Sequence, residues 1–276
     1  MIEDSHMKLA DKVVVITGAG SGIGRATAMR FANAGAKIAA CDIHQDRLDA
    51  LAVDLGPRAL VVRNVDVADR AQMAAFADEV HAQVPAADVV VNNAGVAVAG
   101  AFVETTLDNW DWLLGINLRG VVHGCHFFIP KMIARGAGGH IVNLSSVLGL
   151  YGAPLNSPYV ASKFAVLGLS QSLRAELAPH HIGVTAICPG MIATSIVDDS
   201  RISDTLVERR KQASRLFRDK GAPPSDVADA IFDAVQRNPA IRPVGRDGWI
   251  IWALSKLSPR AMSRLGSRLS RQLDAH

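Results

Sequence analysis

Aromatic residues are scarce in this 276-residue chain, which has eight Phe, four Trp and two Tyr. A protein that stacks nucleobases needs more, and a net charge of +3 is too small to hold a polyanion by itself, so no nucleic-acid partner is expected. Cysteine is scarcer still. Cys41, Cys125 and Cys188 are odd in number and far apart, with no CxxC or Cys/His spacing, which excludes a zinc finger and a disulfide framework. No metal is expected, and a reducing, cytoplasmic setting fits best. The chain also lacks an apolar run that a bilayer would accept. Its longest uncharged stretch, Ile141 to Ser162, holds Asn143, Ser145, Ser146, Pro154, Asn156, Ser157 and Pro158. Met1 to His6 has neither the basic start nor the apolar stretch of a signal peptide. Ser5-His6-Met7 resembles a cloning scar, so residues 1–6 are expected to lie outside the fold. What remains is 49% hydrophobic and 20% charged, an ordinary globular composition long enough to bury a real core.

Short β-branched runs alternate with Ala-rich segments of helical spacing. The runs are Val13 to Thr17, Lys37 to Cys41, Ala59 to Val65, Ala87 to Asn92, His140 to Leu144 and Gly183 to Cys188. Nearly all are apolar on both sides, as in strands covered on both faces. The expected fold is α/β: a single doubly wound, Rossmann-type parallel sheet with helices on both faces, plus a C-terminal helical extension. No linker or repeat interrupts the alternation, so one domain over residues 7–245 is expected, followed by an extension over 246–276. After Gly221, a helix is expected over Ser225 to Gln236, then an extended run, Ala240 to Gly245, whose Pro243 suits only a sheet edge.

The first run ends in Thr17-Gly18-Ala19-Gly20-Ser21-Gly22-Ile23-Gly24, ahead of a helical segment, Arg25 to Ala34. A glycine-rich turn between strand and helix lets backbone amides approach a pyrophosphate at the positive end of the helix. The spacing Gly18, Gly22, Gly24 is GxxxGxG rather than GxGxxG, and out of context it reads equally as a tight turn. Asp42 closes the second run, where an acid hydrogen-bonds the adenosine ribose and repels a 2′-phosphate. Alternatively it caps the helix starting near His44. Ser21 and Ile43 bring no positive charge to this place, which favours NAD over NADP.

Tyr159-Val-Ala-Ser-Lys163 puts a phenol and an ammonium at i and i+4 on one helix face. A phenol titrates near ~10. A cation about 4 Å away contributes ~4 kcal/mol at an effective dielectric of 20, which predicts Tyr159 near ~7, where proton transfer works best. Alone, this spacing occurs by chance in many helices.

Thr17-Gly18-x3-Gly22-x-Gly24, Asn92-Asn93-Ala94-Gly95, Asn117, Ser145-Ser146, Tyr159-x3-Lys163 and Pro189-Gly190 occur in this order between Lys8 and Thr194. Together they resemble the short-chain dehydrogenase/reductase family. The resemblance implies an NAD(P)-dependent oxidoreductase acting on a CH–OH group, with Tyr159 as acid/base and Lys163 lowering its pKa and holding the nicotinamide ribose. Ser146 orients the substrate oxygen in preference to Ser145, and Asn117 holds a relay water. Around the cofactor it implies Gly18, Ser21, Gly22, Ile23 and Gly24 at the phosphates, Asp42 at the ribose, and Asp66 and Val67 at the adenine. It further implies Asn92, Ala94 and Gly95 as its floor, Thr194 with the Ile192 backbone at the carboxamide, and Asn93, Pro189 and Gly190 among the cofactor-binding residues. A homo-oligomer and a small alcohol or ketone substrate follow from the same resemblance. Each residue also has a plain structural reading: turn residues for Asn92 and Asn93, strand-end caps for Ser145 and Ser146, a buried backbone partner for Asn117. His123, His126 and the cysteines read as packing residues.

Met191 to Gly221 is expected to lie over the substrate mouth, with Met191, Ile192, Ile196 and Val197 as apolar lining and Ala97, Val98, Leu148 and Leu150 completing a greasy cleft. A hydrophobic secondary alcohol or ketone used with NAD is the preferred reading. An NADPH-dependent carbonyl reductase and a nucleotide-binding protein without catalysis are the alternatives. From Arg242 onward seven Arg and Lys face two acids, Asp247 and Asp274, a net +5 that leaves −2 before them. Ser258 and Pro259 predict a last helix. Trp249, Ile250, Trp252, Ala253 and Leu257 form a candidate apolar face, for which three placements stay open: docking on its own subunit, an arm on a partner, or peripheral contact with anionic lipid.

Overall fold

The five residues Val13–Thr17 are all buried and open the sheet as β1. A computed structural model of the chain describes residues 8–197, 199–203, 206–257 and 262. After β1 come α1 (Gly22–Asn33), β2 (Lys37–Asp42), α2 (Gln45–Leu55), β3 (Ala59–Asn64), α3 (Arg70–Gln83) and β4 (Val89–Asn92). There follow β5 (Val98–Ala99), α4 (Leu107–Leu114), α5 (Gly120–Arg135), β6 (Gly139–Leu144), α6 (Ser157–Leu177) and β7 (Ile182–Pro189). The remainder is β8 (Arg201–Ile202), α7 (Val207–Lys220), α8 (Pro224–Arg237), β9 (Ile241–Val244) and α9 (Arg246–Leu257). Seven strands pair in the order β3-β2-β1-β4-β6-β7-β9, every pairing parallel. This is the doubly wound sheet expected from the alternation, and its order reverses between β1 and β4, where such folds bind ligands.

Alternation along each strand builds the two cores. Val14 and Ile16 face α1 and α8, packing with Phe31 and Ile231, while Val13 and Val15 face α3, α5 and α6, packing with Phe76, Phe128 and Val166. Pro243 sits in β9, the edge strand, where its missing N–H costs no ladder bond. Helix α1 starts three residues before the expected Arg25, because the helical turn itself takes in Gly22 and Gly24.

Two features escape the sequence pattern. A two-stranded parallel sheet joins β5 to β8 and fastens the segment after β7 to the loop after β4. Helix α9 turns its apolar residues the wrong way for docking. Trp249, Ile250, Ala253 and Leu257 are exposed, and of the expected face only Trp252 is half-buried. Helix α9 itself packs on its own subunit through Asp247, Gly248 and Ile251 beside the cleft, while the expected apolar face points away from it. The last helix expected from Ser258 lies outside the described residues.

Candidate active site

The carboxyl ends of β1, β4, β6 and β7 open on one cleft of about 540 Å³. The β1–α1 turn reaches its wall through Ile23. Gly18 (φ +64°) and Gly22 (φ +51°) take left-handed conformations, and a Cβ at Gly24 would stand 2.0 Å from the Gly18 carbonyl. Asn93 clasps this turn rather than facing outward: its Nδ2 donates to the carbonyls of Thr17 (2.9 Å) and Gly18 (3.0 Å). The Thr17 hydroxyl in turn accepts from the amides of Asn93 (3.0 Å) and Ala94 (3.1 Å).

Asp42 is buried at the end of β2. Its Oδ2 accepts from the Gly20 amide (2.8 Å) and its Oδ1 from the His44 amide (3.0 Å), so it braces the glycine turn and the loop ahead of α2, whose N-cap is His44 rather than Asp42. Asp66 accepts from the Ala68 amide (2.9 Å), and Val67 is buried with its carbonyl 2.9 Å from His123 Nδ1. Neither of the two lines the central cleft.

Ser146, Tyr159 and Lys163 do line it, with Gly95, Gly190 and Thr194. The two serines separate by geometry: Ser145 Oγ donates to the Lys163 carbonyl (2.8 Å), whereas the Ser146 hydroxyl pairs with the Tyr159 phenol. Lys163 Nζ is buried, donates to the Leu144 carbonyl (2.8 Å) and stands 5.5 Å from the centroid of the Tyr159 ring. The expected titration near ~7 is not what this arrangement produces. Burial pushes the Tyr159 phenol up to about 12, only partly opposed by Ser146, and pushes Lys163 down to about 8. Both shifts have one cause, the loss of water around a charge. The Cys188 thiol, raised to about 11 mainly by burial, lies beside Ser145 and Lys163.

Asn117 occupies a π turn, Gly115–Arg119, between α4 and α5. Its amide grips Val96 at both ends, accepting from the amide (2.8 Å) and donating to the carbonyl (2.9 Å), with a longer bond to Ser162 (3.3 Å). The side chain thus serves a buried backbone segment.

The family follows from a match over residues 12–204 to the short chain dehydrogenase model, more than half of the molecule. The chain belongs to the short-chain dehydrogenase family. A probable oxidoreductase, EphD, of Mycobacterium tuberculosis is 40% identical over 266 residues, covering 91% of this chain and 44% of that protein, so the chain spans under half of that relative. A C alpha-dehydrogenase of Sphingobium sp. SYK-6 is 35% identical over 239 residues, covering 83% of this chain and 78% of that one. The crystal structure of a short-chain dehydrogenase from Burkholderia phymatum in complex with NAD superposes with a TM-score of 0.80 at 32% identity, covering 85% and 89% of the two chains.

Short-chain dehydrogenases are NAD(P)-dependent oxidoreductases acting on CH–OH groups, and this domain is one of them. Its residues fit a dinucleotide. A second hollow of about 630 Å³ adjoins the glycine turn, between Ser21, Gly22 and Arg25 on one side and Thr194, Ser214 and Arg218 on the other. Gly22 would meet Thr194 Cγ2 at 3.2 Å if it carried a Cβ, so the segment after β7 closes over a place left open by glycine. Hydroxyls, a helix N-terminus and the Arg218 guanidinium are donors that suit a pyrophosphate, while Arg25 is paired with Asp54.

The apolar lining of this short-chain dehydrogenase agrees in part with the expected one. Ala97, Leu148, Met191, Ile192, Ile196 and Val197 line the cleft, but Val98 is buried behind it and Leu150 is not part of the wall. Sequence reasoning missed the charged residues Arg25, Arg210 and Arg218 around the two hollows, and two more whose contacts are particular. Asp247, from α9, lines the cleft and its Oδ2 accepts from the Met191 amide (2.8 Å). Arg47, from α2, brings Nη1 to 3.4 Å from Ser21 Oγ, beside Asp42. Both lie just past the carboxyl end of a sheet strand, and that position is the signal that would have found them.

Proposed function

We propose that this domain moves hydride between NAD and a secondary alcohol or ketone with apolar substituents, using Tyr159 as the acid/base. The observation that carries this reading is the meeting of Tyr159, Ser146 and Lys163 on one wall of a cleft otherwise lined by residues such as Leu148, Leu155, Ile196 and Phe217. A dinucleotide with its pyrophosphate at the glycine turn and its nicotinamide beside Lys163 and Thr194 would supply or accept the hydride. The chain supplies the proton chemistry and the positioning. Ser146 and Tyr159 hold the substrate oxygen between two hydroxyls. Because burial raises the phenol, Tyr159 carries its proton at neutral pH, ready to give it to the oxygen of a ketone. For alcohol oxidation it must first lose that proton to become the base. Lys163, tethered to Leu144, keeps a positive charge behind the ring below about pH 8. Asn117 is a positioning residue, acting through Val96 and Ser162.

Asp42 supports NAD as the cofactor, since a carboxylate at the ribose repels a 2′-phosphate. Arg47 supports the second reading, NADPH, as a cation at the same ribose. The closer grip of Asp42 on the turn, at 2.8 Å, favours NAD. The reducing, cytoplasmic setting stays part of this reading, as does a homo-oligomer.

The test is turnover with a panel of secondary alcohols and ketones. Tyr159→Phe is expected to lower kcat by about 10² to 10⁴ while NAD affinity changes little, because the ring stays and only the proton goes. In the wild type, kcat/KM for oxidation is expected to rise with pH up to about 8, at up to about tenfold per unit, while ketone reduction does not. A Tyr159→Phe enzyme retaining a third of the wild-type rate, or an oxidation rate indifferent to pH, would remove the assignment.

A further inference from the structure

The outer face of α9 has the wrong composition for a helix that ends at water. Its inner side, through Asp247 and Ile251, lines the cleft, and Gly248 is buried. The outer side of such a helix is normally polar. Here it carries Trp249 (45% exposed), Ile250 (52%), Leu254 (40%) and Leu257 (80%), with Ala253 among them, all on one stripe by their spacing of three and four. The flanking exposed side chains are cations, Arg246 and Lys256. Beyond the helix, residues 258–276 add Arg260, Arg264, Arg268 and Arg271 against one acid, Asp274, on a chain whose first 241 residues are net negative.

We propose that this face seats α9 on an anionic lipid surface, with the mouth of the substrate cleft at the lipid interface. Size argues against a second copy as the sole occupant. Twelve residues make a helix ~18 Å long, and a stripe ~10 Å wide on it offers ~200 Å², a quarter of the ~800 Å² per partner of a stable protein interface. An interfacial helix needs no such area. It needs Trp and aliphatic side chains that enter the headgroup boundary and cations beside them, and α9 has both, with Arg246 and Lys256 next to its apolar stripe and a sequence after it that is net positive. Among the described residues no helix is long and apolar enough to cross a membrane, so the contact is peripheral. Because the opposite side of the same helix lines the cleft, an apolar alcohol dissolved in lipid would meet the site across one helix. That consequence rests on the reading of the cleft given above, whereas the docking does not.

Vesicle binding by the full chain tests the docking without substrate. The protein is expected to co-sediment with phosphatidylcholine vesicles containing a quarter phosphatidylglycerol and not with phosphatidylcholine alone. Raised salt should release it, and its tryptophan emission should shift to the blue on binding. Ile250→Asp with Leu254→Asp is expected to weaken binding at least tenfold with unchanged near-ultraviolet circular dichroism and unchanged mass in solution. If that pair does not fold, Leu257→Ser and the quadruple replacement of Arg260, Arg264, Arg268 and Arg271 by Gln each carry the same expectation. No binding to the anionic vesicles, equal binding to both kinds, or a fall in solution mass on substitution, which would assign the face to a second copy, overturns the proposal. Absence of turnover with every alcohol, alongside intact vesicle binding, would instead remove the reading of the cleft.

Discussion

Asp42 and Arg47 put opposite charges beside one glycine turn, and single substitutions separate them. Asp42 holds the glycine turn through the Gly20 amide, and on the proposed reading its charge would repel a 2′-phosphate, while Arg47 stands beside Ser21 with the opposite charge. Asp42→Ala is expected to shift the ratio of kcat/KM for NAD over NADP toward NADP by about ten- to a hundredfold, the equivalent of ~1 to 3 kcal/mol for a lost charged hydrogen bond and a lost repulsion. Arg47→Ala should move the ratio the other way. A wild type that already prefers NADPH would show that Arg47 dominates. The position of Asp42 was legible from its place at the end of β2, but Arg47 was not, because nothing in a helix sequence says which side chains of its first turns lean back over the neighbouring loop.

Helix α9 enters the site as an element. Its Asp247 accepts from the Met191 amide, and the backbone turn it grips leaves no room: a Cβ on Gly190 would stand 2.1 Å from the Asp247 carboxylate. The same turn is held by Gly190 donating to the Val244 carbonyl (3.0 Å). Two contacts therefore tie the start of the segment over the cleft to the last strand and helix. Asp247→Ala leaves the Met191 amide without its partner and is expected to cost about 1 to 3 kcal/mol of stability, read as a lower midpoint in urea, and to raise KM more than it lowers kcat. Asp247→Asn, which keeps an acceptor, should restore most of both. If Asn does no better than Ala, the contribution of Asp247 is its charge rather than its grip.

At the scale of the whole molecule, the two ends of the sheet do different work. The carboxyl ends of the strands hold the cleft, while the start of β6 holds His140, buried with Nε2 2.9 Å from Thr185 Oγ1. Thr185 donates to the Pro239 carbonyl (2.6 Å), which leaves its oxygen to accept from the imidazole. Burial, aided by Arg174, pushes His140 down to about 3, so the fold keeps it neutral. An unfolded chain binds a proton there once the pH falls below about 6.5. Stability is therefore full above that value and falls as the pH drops toward 3, at up to ~1.4 kcal/mol per unit from this one group. Thermal midpoints between about pH 7 and about pH 5 should decline, and less steeply in His140→Asn. Equal slopes in the two proteins would remove the assignment to His140.

Features set by neighbours along the chain were legible without coordinates. Buried runs of five or six residues specify strands covered on both faces, the glycine spacing specifies a turn that backbone amides line, and an i, i+4 pair on a helix must share a face whatever surrounds it. The seven-stranded sheet, the glycine turn and the pairing of Tyr159 with Lys163 on one cleft wall follow from such local rules. Tertiary structure alone decided what depends on distant partners. Asp247 meets an amide 56 positions away, and Asn117 one 21 positions away. The direction of the Tyr159 shift reversed because burial, which no spacing reveals, outweighs the opposing hydrogen bond with Ser146, and the ammonium is tethered to Leu144. The apolar stripe of α9 was visible in the sequence, but only packing decided that it faces outward, because the cleft and β9 take the other side of the helix.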